Sequence, residues 1–69
     1  MTRLKFWRLQ ARLTQREAAM KLGIGESTYG FLESGRMQPS PAQLERLARS
    51  FTDPARLFEA VPDEIASAP

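Results

Sequence analysis

Signals that begin or end a helix recur along the whole chain and limit it to short helices. The pairs Thr14-x-x-Glu17 and Ser40-x-x-Gln43 have the spacing of a capping box, in which each side chain bonds the other residue's backbone N–H group. Gly23 stands where the second segment would end, because glycine readily adopts the left-handed conformation of a helix C-cap. The chain is therefore expected to fold as helices of two to three turns joined by tight turns.

Apolar residues recur at helical spacing between these signals, and none of the segments has the two-residue alternation of a strand. The predicted helices cover about residues 3–11, 15–22, 26–33, 41–51 and 54–61. Asp53 and Pro54 mark the start of the fifth, as its cap and first residue, and Pro62 marks its end. The sequence thus predicts one all-α domain of five helices over residues 1–61. Residues 62–69 are expected to form an acidic, flexible tail.

Composition excludes several classes of function. The 69 residues include no cysteine and no histidine, so thiol chemistry is impossible and the commonest general base and metal ligand is missing. No paired carboxylates stand out, and there is too little chain to enclose a substrate pocket beside a core. We therefore expect no enzyme, no cofactor, no metal and no small-molecule ligand. No apolar run approaches the ~20 residues of a membrane span, and no apolar stretch follows the basic start, so a cytoplasmic protein is expected.

Charge is distributed unevenly along the chain. Residues 1–49 hold nine Lys and Arg residues against four acids, whereas residues 50–69 hold one Arg against four acids. A basic first part suits a polyanionic partner, and a solvated surface with chance asymmetry is the alternative.

The link between the second and third predicted helices is Leu22-Gly23-Ile24-Gly25. A short glycine-containing turn between two short amphipathic helices is typical of the DNA-binding helix-turn-helix. In that unit the first helix braces the second, which protrudes enough to enter the major groove of DNA, a channel ~12 Å wide.

Several motifs in one order carry a more specific resemblance. They are Leu13-Thr14-Gln15-Arg16-Glu17-Ala18-Ala19-Met20-Lys21-Leu22-Gly23-Ile24, Ser27-Thr28-Tyr29, Leu32-Glu33-Ser34-Gly35-Arg36, Pro39-Ser40 and Leu44-x-x-Leu47-Ala48. Over roughly residues 4–58 the chain resembles the Cro/C1-type, phage repressor-like (XRE) helix-turn-helix family. The resemblance implies a five-helix lambda-repressor-like domain. It also implies a sequence-specific transcriptional regulator, typically a repressor, that binds double-stranded DNA as a dimer.

The resemblance also implies roles for individual residues. The base-reading positions of the third helix match Glu26, Ser27, Gly30 and Phe31. Positions that contact or surround the DNA phosphates match Gln15, Arg16, Thr28, Ser34, Arg36, Gln38 and Ser40. A structural salt bridge is implied between Arg8 and Glu33. Trp7 and Tyr29 match core positions rather than base-stacking aromatics, since both lie on inward stripes.

The recognition helix departs from the family pattern. Gly25 takes the place of the usual Ser or Thr cap, Gly30 interrupts the helix, and Glu26 puts a negative charge on its reading side. Residues 24–34 contain no Lys or Arg, which argues against tight binding by a monomer and favours a dimer. Arg12 replaces a common glycine, so we expect an unusual backbone conformation there.

The first predicted helix has apolar residues on two sides. Leu4 and Trp7 form its inward stripe, whereas the apolar pair Phe6 and Leu9 lies on nearly the opposite side. Either the fifth helix covers the pair, or it forms a dimer or partner surface. A second candidate surface of this kind comprises Leu57, Val61 and Ile65. These residues motivate an alternative function on the same fold: a protein-interaction module, such as a co-regulator, an antitoxin-like partner or an inhibitor of another DNA-binding protein.

Overall fold

The first four predicted helices are present and begin at the residues that the sequence signals mark, although the fourth ends at Ala48 rather than at residue 51. A computed structural model describes residues 1–62, which form four α-helices and one 3₁₀ helix. The α-helices are α1 (Arg3–Gln10), α2 (Gln15–Leu22), α3 (Glu26–Ser34) and α4 (Pro41–Ala48), and the 3₁₀ helix covers Pro54–Phe58. In this part of the chain no helix is long and apolar enough to cross a membrane. Ile65 and the rest of the predicted tail from residue 63 onward lie outside the described residues.

Both predicted capping boxes are present. Thr14 Oγ1 accepts from the Glu17 N–H at 3.1 Å, and the Thr14 N–H donates to Glu17 Oε1 at 2.9 Å. Ser40 and Gln43 make the same reciprocal pair at 3.2 and 2.8 Å, which starts α4. Each box satisfies N–H groups that a helix start otherwise leaves without partners.

Within residues 1–62, three residues adopt a positive φ. Gly23 (φ +70°) and Gly35 (φ +81°) are the C-caps of α2 and α3, as their positions in the sequence predict. Arg12 has φ +59° in the turn between α1 and α2. This confirms the expectation of an unusual backbone at a position where the family commonly has glycine, and the conformation costs a residue with a Cβ about 1–2 kcal/mol.

The prediction of a fifth α-helix is wrong, because residues 54–58 form a short 3₁₀ helix. The chain becomes extended at Glu59 (φ −72°, ψ 151°) and pairs with the start of the molecule. The Arg3 N–H donates to Glu59 O at 3.0 Å, and the Val61 N–H donates to Met1 O at 2.8 Å. These two bonds, around an isolated antiparallel bridge between Thr2 and Ala60, form a clasp of residues 1–3 and 59–61. The clasp uses backbone groups that a longer helix would need.

The core lies between α1 to α4 and the 3₁₀ helix. Its buried residues are Leu4, Ala18, Ala19, Leu22, Ile24, Tyr29, Leu32, Leu47 and Leu57, with Trp7, Leu13, Phe51 and Phe58 packed against them. Trp7 and Phe51 meet edge to face, with ring centroids 5.1 Å apart. Trp7 and Tyr29 are therefore part of the packing, as predicted.

The prediction of a partner surface at Leu57 and Val61 is wrong. These side chains are 9% and 7% exposed, because the 3₁₀ helix and the clasp turn them into the chain's own interior. The other apolar candidates behave differently: Leu9 is 46% exposed, and Phe6 is half-buried.

Candidate nucleic-acid interface

The turn between α2 and α3 is fixed by glycine geometry and by one buried side chain. The Gly23 N–H donates to Met20 O at 3.2 Å, and the Ile24 N–H donates to Ala19 O at 3.0 Å. These bonds satisfy the last carbonyl groups of α2. Ile24 is buried directly after the glycine, so the turn is anchored in the core and α3 leaves it in a fixed direction.

α3 has one buried side and one exposed side. Its buried residues are Tyr29, Leu32 and Glu33. Three of the four predicted base-reading residues, Glu26, Ser27 and Phe31, are exposed, and Phe31 is 43% exposed although it is aromatic. The predicted reading side therefore points to solvent, as a helix that enters a DNA groove requires.

Gly30, the fourth predicted base-reading residue, is half-buried beneath the side chain of Gln15. A Cβ added at residue 30 would lie 3.9 Å from both the Nε2 and the Oε1 atom of Gln15. The Gln15 side chain thus lies over Gly30 and partly covers it, which leaves Glu26, Ser27 and Phe31 as the exposed members of the predicted base-reading set.

A buried carboxylate joins the first three helices. Glu33, which is 2% exposed, accepts bonds from Arg8 Nε at 2.9 Å and from Arg8 Nη2 at 3.1 Å. It also accepts a bond from Gln15 Nε2 at 2.8 Å, while Arg8 Nη1 donates to Leu13 O at 3.0 Å. The implied Arg8–Glu33 ion pair is thus present, and it orients α1, the turn after it, α2 and α3 relative to one another.

The electrostatics of this network follow from burial and bonding. Burial works to raise the pKa of the Glu33 carboxyl, but the hydrogen bonds from Arg8 and Gln15 outweigh it and lower the pKa below its ordinary value. The nearby Tyr29 hydroxyl is buried and has no hydrogen-bond partner within residues 1–62. Burial, with the Glu33 charge, raises the pKa of Tyr29, so this hydroxyl stays neutral.

Seven of the eleven residues predicted to contact DNA meet in one shallow depression, which we call the recognition concavity. Its lining residues are Gln15, Glu26, Ser27, Gly30, Phe31, Ser34 and Arg36. The Gln15 amide uses one N–H on Glu33, which leaves its other N–H and its oxygen for a ligand. The depression therefore places polar groups and one exposed cation beside the reading side of α3.

A second depression, the turn concavity, lies on another side of α3. Its lining residues are Gly23, Ile24, Gly25, Thr28, Ser40, Ala42, Gln43 and Arg46. It contains two residues predicted to bind phosphate, Thr28 and Ser40. Two others, Arg16 and Gln38, are exposed but line neither depression.

Sequence reasoning missed Arg46. Its Nη1 atom donates to Gly23 O, across 23 positions of the chain. No local pattern reveals a contact between the last turn of α4 and the end of α2, although a basic residue that reaches the last carbonyl groups of a helix is a known form of C-cap.

These features define a class of protein. Two short helices are joined at a left-handed glycine, and the second helix has a buried inner side and an exposed polar outer side. This arrangement is a helix-turn-helix domain.

Comparison with known proteins agrees with the geometry. The model of the helix-turn-helix family matches residues 4–52, and this chain belongs to that family, in its Cro/C1-type (XRE) group. Two curated proteins from Archaeoglobus fulgidus, each named an uncharacterized HTH-type transcriptional regulator, are 38% identical to it over 50 residues. Each match covers 72% of this chain, and 70% and 71% of the respective relatives. No solved structure matches the chain significantly.

Proposed function

We propose that this chain is a sequence-specific DNA-binding transcriptional regulator that places α3 in the major groove of double-stranded DNA. The observation that carries the proposal is the two-sided nature of α3. Tyr29 and Leu32 anchor it in the core, whereas Glu26, Ser27 and Phe31 are exposed beside the recognition concavity. The names of the two relatives support the same function.

Each exposed residue of α3 suits a different feature of a base edge. Glu26 can accept a hydrogen bond from the cytosine N4 group, and Ser27 can donate or accept. Phe31 can contact a thymine methyl group. Phosphate contacts fix the protein's register on DNA without reading sequence, and Gln15, Ser34 and Arg36 surround the same depression for that purpose.

The finer proposal is a repressor that acts as a dimer. Because residues 24–34 contain no Lys or Arg, the side chains of one α3 supply no cation to pair with a DNA phosphate. Two copies that read successive half-sites ~34 Å apart would combine their contacts on one near-palindromic operator. Repression is the simplest outcome, since it requires only that the site be occupied.

The test is selection of bound duplexes from a randomised DNA pool, followed by affinity measurements on the recovered site. Ser27→Ala should relax the preference at one base pair by about 0.5–1.5 kcal/mol, the contribution of a single neutral hydrogen bond. Ser50→Ala is the matched control, because Ser50 is exposed and lines neither depression. A chain that shows no preference over random DNA at moderate salt contradicts the proposal.

A protein-interaction module is the second candidate. Two observations favour it: the acidic Glu26 on the reading side, and the exposed Leu9 on α1. Its signature would be a stoichiometric protein complex that excludes DNA, is lost in Leu9→Ser and persists in Arg36→Ala. The reverse pattern, with DNA binding intact in Leu9→Ser and weakened in Arg36→Ala, supports the DNA-binding function.

A further inference from the structure

We infer that Arg46 binds a DNA phosphate, so that α3 is flanked by backbone contacts from two separate depressions. This inference rests on the proposed DNA-binding function and adds a residue that the sequence did not indicate. The residues of α3 that line the recognition concavity include Ser27, Gly30 and Ser34. The turn concavity is lined instead by Thr28 and by Gly25, the residue before the helix.

The position of the Arg46 side chain is the first observation behind the inference. Its Nη1 atom donates to Gly23 O at the carboxyl end of α2, where the helix dipole favours a positive charge. Arg46 is nevertheless exposed. A guanidinium that is already tethered loses less conformational entropy on binding an anion than a free one does.

The unused bonding capacity of Arg46 is the second observation. A guanidinium has five N–H donors in a planar fork, and the Gly23 bond employs one of its edges. The ion pairs within residues 1–62 are Arg8–Glu33 and Arg56–Glu59, so no carboxylate there neutralises Arg46. Its remaining donors have the geometry that recognises phosphate oxygens.

The surroundings of Arg46 are the third observation. The hydroxyl groups of Thr28 and Ser40 line the same depression, and no acidic residue lines it. The recognition concavity, by contrast, combines Arg36 with the acidic Glu26. The turn concavity is therefore the more favourable of the two for an anion.

Arg49 offers a matched control. It is the C-cap of α4, three residues after Arg46, and it is also exposed. It lines neither depression. Arg46→Met and Arg49→Met therefore remove the same charge from the same helix, and only the first alters the turn concavity.

The experiment measures affinity for the duplex recovered by selection with the unmodified chain, over a series of salt concentrations. The slope of log K against log salt is negative, and a lost phosphate contact decreases its magnitude by about 0.9. Arg46→Met should show that decrease, and Arg49→Met should keep the original slope. Arg46→Lys, which retains the charge, should keep the slope close to that of the unmodified chain.

Folding is checked separately, because Arg46 also caps α2. Arg46→Gln keeps an N–H donor for Gly23 O without the charge. It should decrease the magnitude of the salt slope of DNA binding, as Arg46→Met does. If the Arg46 variants lose stability or affinity and their slope stays unchanged, Arg46 is only a structural cap and the inference is overturned. That result leaves the proposed function intact. If the unmodified chain itself shows no salt-dependent DNA binding, both the inference about Arg46 and the proposed function are contradicted.

Discussion

The two helices of the helix-turn-helix are held in place in different ways. Both helices end at a left-handed glycine, but α2 also begins with a complete capping box, which stabilises its first turn. α3 begins at Gly25, which makes no side-chain cap bond, and contains Gly30 in its middle. Its position depends on the residues that it buries, which are Tyr29, Leu32 and Glu33. The difference indicates that the helix proposed to read DNA can lack a side-chain cap because its inner side is packed and bonded to its neighbours.

The largest expected effect comes from breaking that inner bonding. Glu33→Ala removes three hydrogen bonds and leaves Arg8, 12% exposed, without its partner. Loss of one member of a buried ion pair costs about 3–5 kcal/mol. Denaturation followed by circular dichroism should show a free energy of unfolding reduced by that amount, which is most of what a small domain has.

The control for this variant is Glu45→Ala, an exposed carboxylate on α4 whose loss should change stability by less than about 0.5 kcal/mol. Equal effects of the two substitutions would show that α3 does not depend on the Glu33 network.

Acid should weaken the same network reversibly. The pKa of folded Glu33 lies below its ordinary value of 4.5, so below that pH the unfolded chain binds a proton that the folded chain does not. The Glu33 contribution is therefore complete above about pH 4.5 and is lost as the pH falls through the folded pKa. Denaturation at a series of pH values measures this loss of stability.

The control concerns Glu17, because its pKa is also lowered, chiefly by the Thr14 N–H. The pH series is therefore repeated in Glu17→Gln. A stability that stays flat below pH 4.5 in that variant contradicts the prediction.

A smaller effect, of opposite sign, is expected at Gly30. Gly30→Ala should stabilise the domain by about 0.8–1 kcal/mol, because alanine is the better helix former and the added Cβ makes only ordinary contact with the Gln15 amide, at 3.9 Å. Thermal unfolding measures the gain. A loss of stability would mean that Gln15 cannot accommodate the methyl group and that Gly30 is required for packing.

The smallest effect is expected at the start of α3. Gly25→Ser supplies the missing cap in a backbone conformation that already suits it (φ −61°, ψ 145°), so stability should rise by a few tenths of a kcal/mol. Thr14→Ser is the control, since α2 already has its cap. If Gly25→Ser gains no more than Thr14→Ser does, a missing cap is not what distinguishes the two helices.

The parts of the fold that could be predicted are those set by local signals. Thr14 with Glu17 and Ser40 with Gln43 fix helix starts within four residues of sequence, and Gly23 fixes an end. The Arg8–Glu33 ion pair is predicted only by the resemblance to the family, because its two residues are too far apart in the sequence for a local pattern to indicate it.

The parts that could not be predicted depend on distant residues. Residues 54–61 have a helical pattern, but the last of them pair with residues 1–3 in the clasp instead. No sequence pattern within either segment predicts that pairing. At the candidate site, the resemblance implies a phosphate contact for Gln15, but no sequence signal indicates its hydrogen bond to Glu33. Arg46 was missed because its partner, Gly23, lies 23 positions away.

The clasp has a mechanical consequence. Tension applied between the first and last described residues, for example by a tethered cargo at each, acts first on the two backbone bonds that join residues 1–3 to 59–61. Thr2, inside the clasp, donates through Oγ1 to Glu33 O at 2.6 Å. A pull at the edge of the domain is therefore transmitted directly to the last turn of the helix proposed to read DNA.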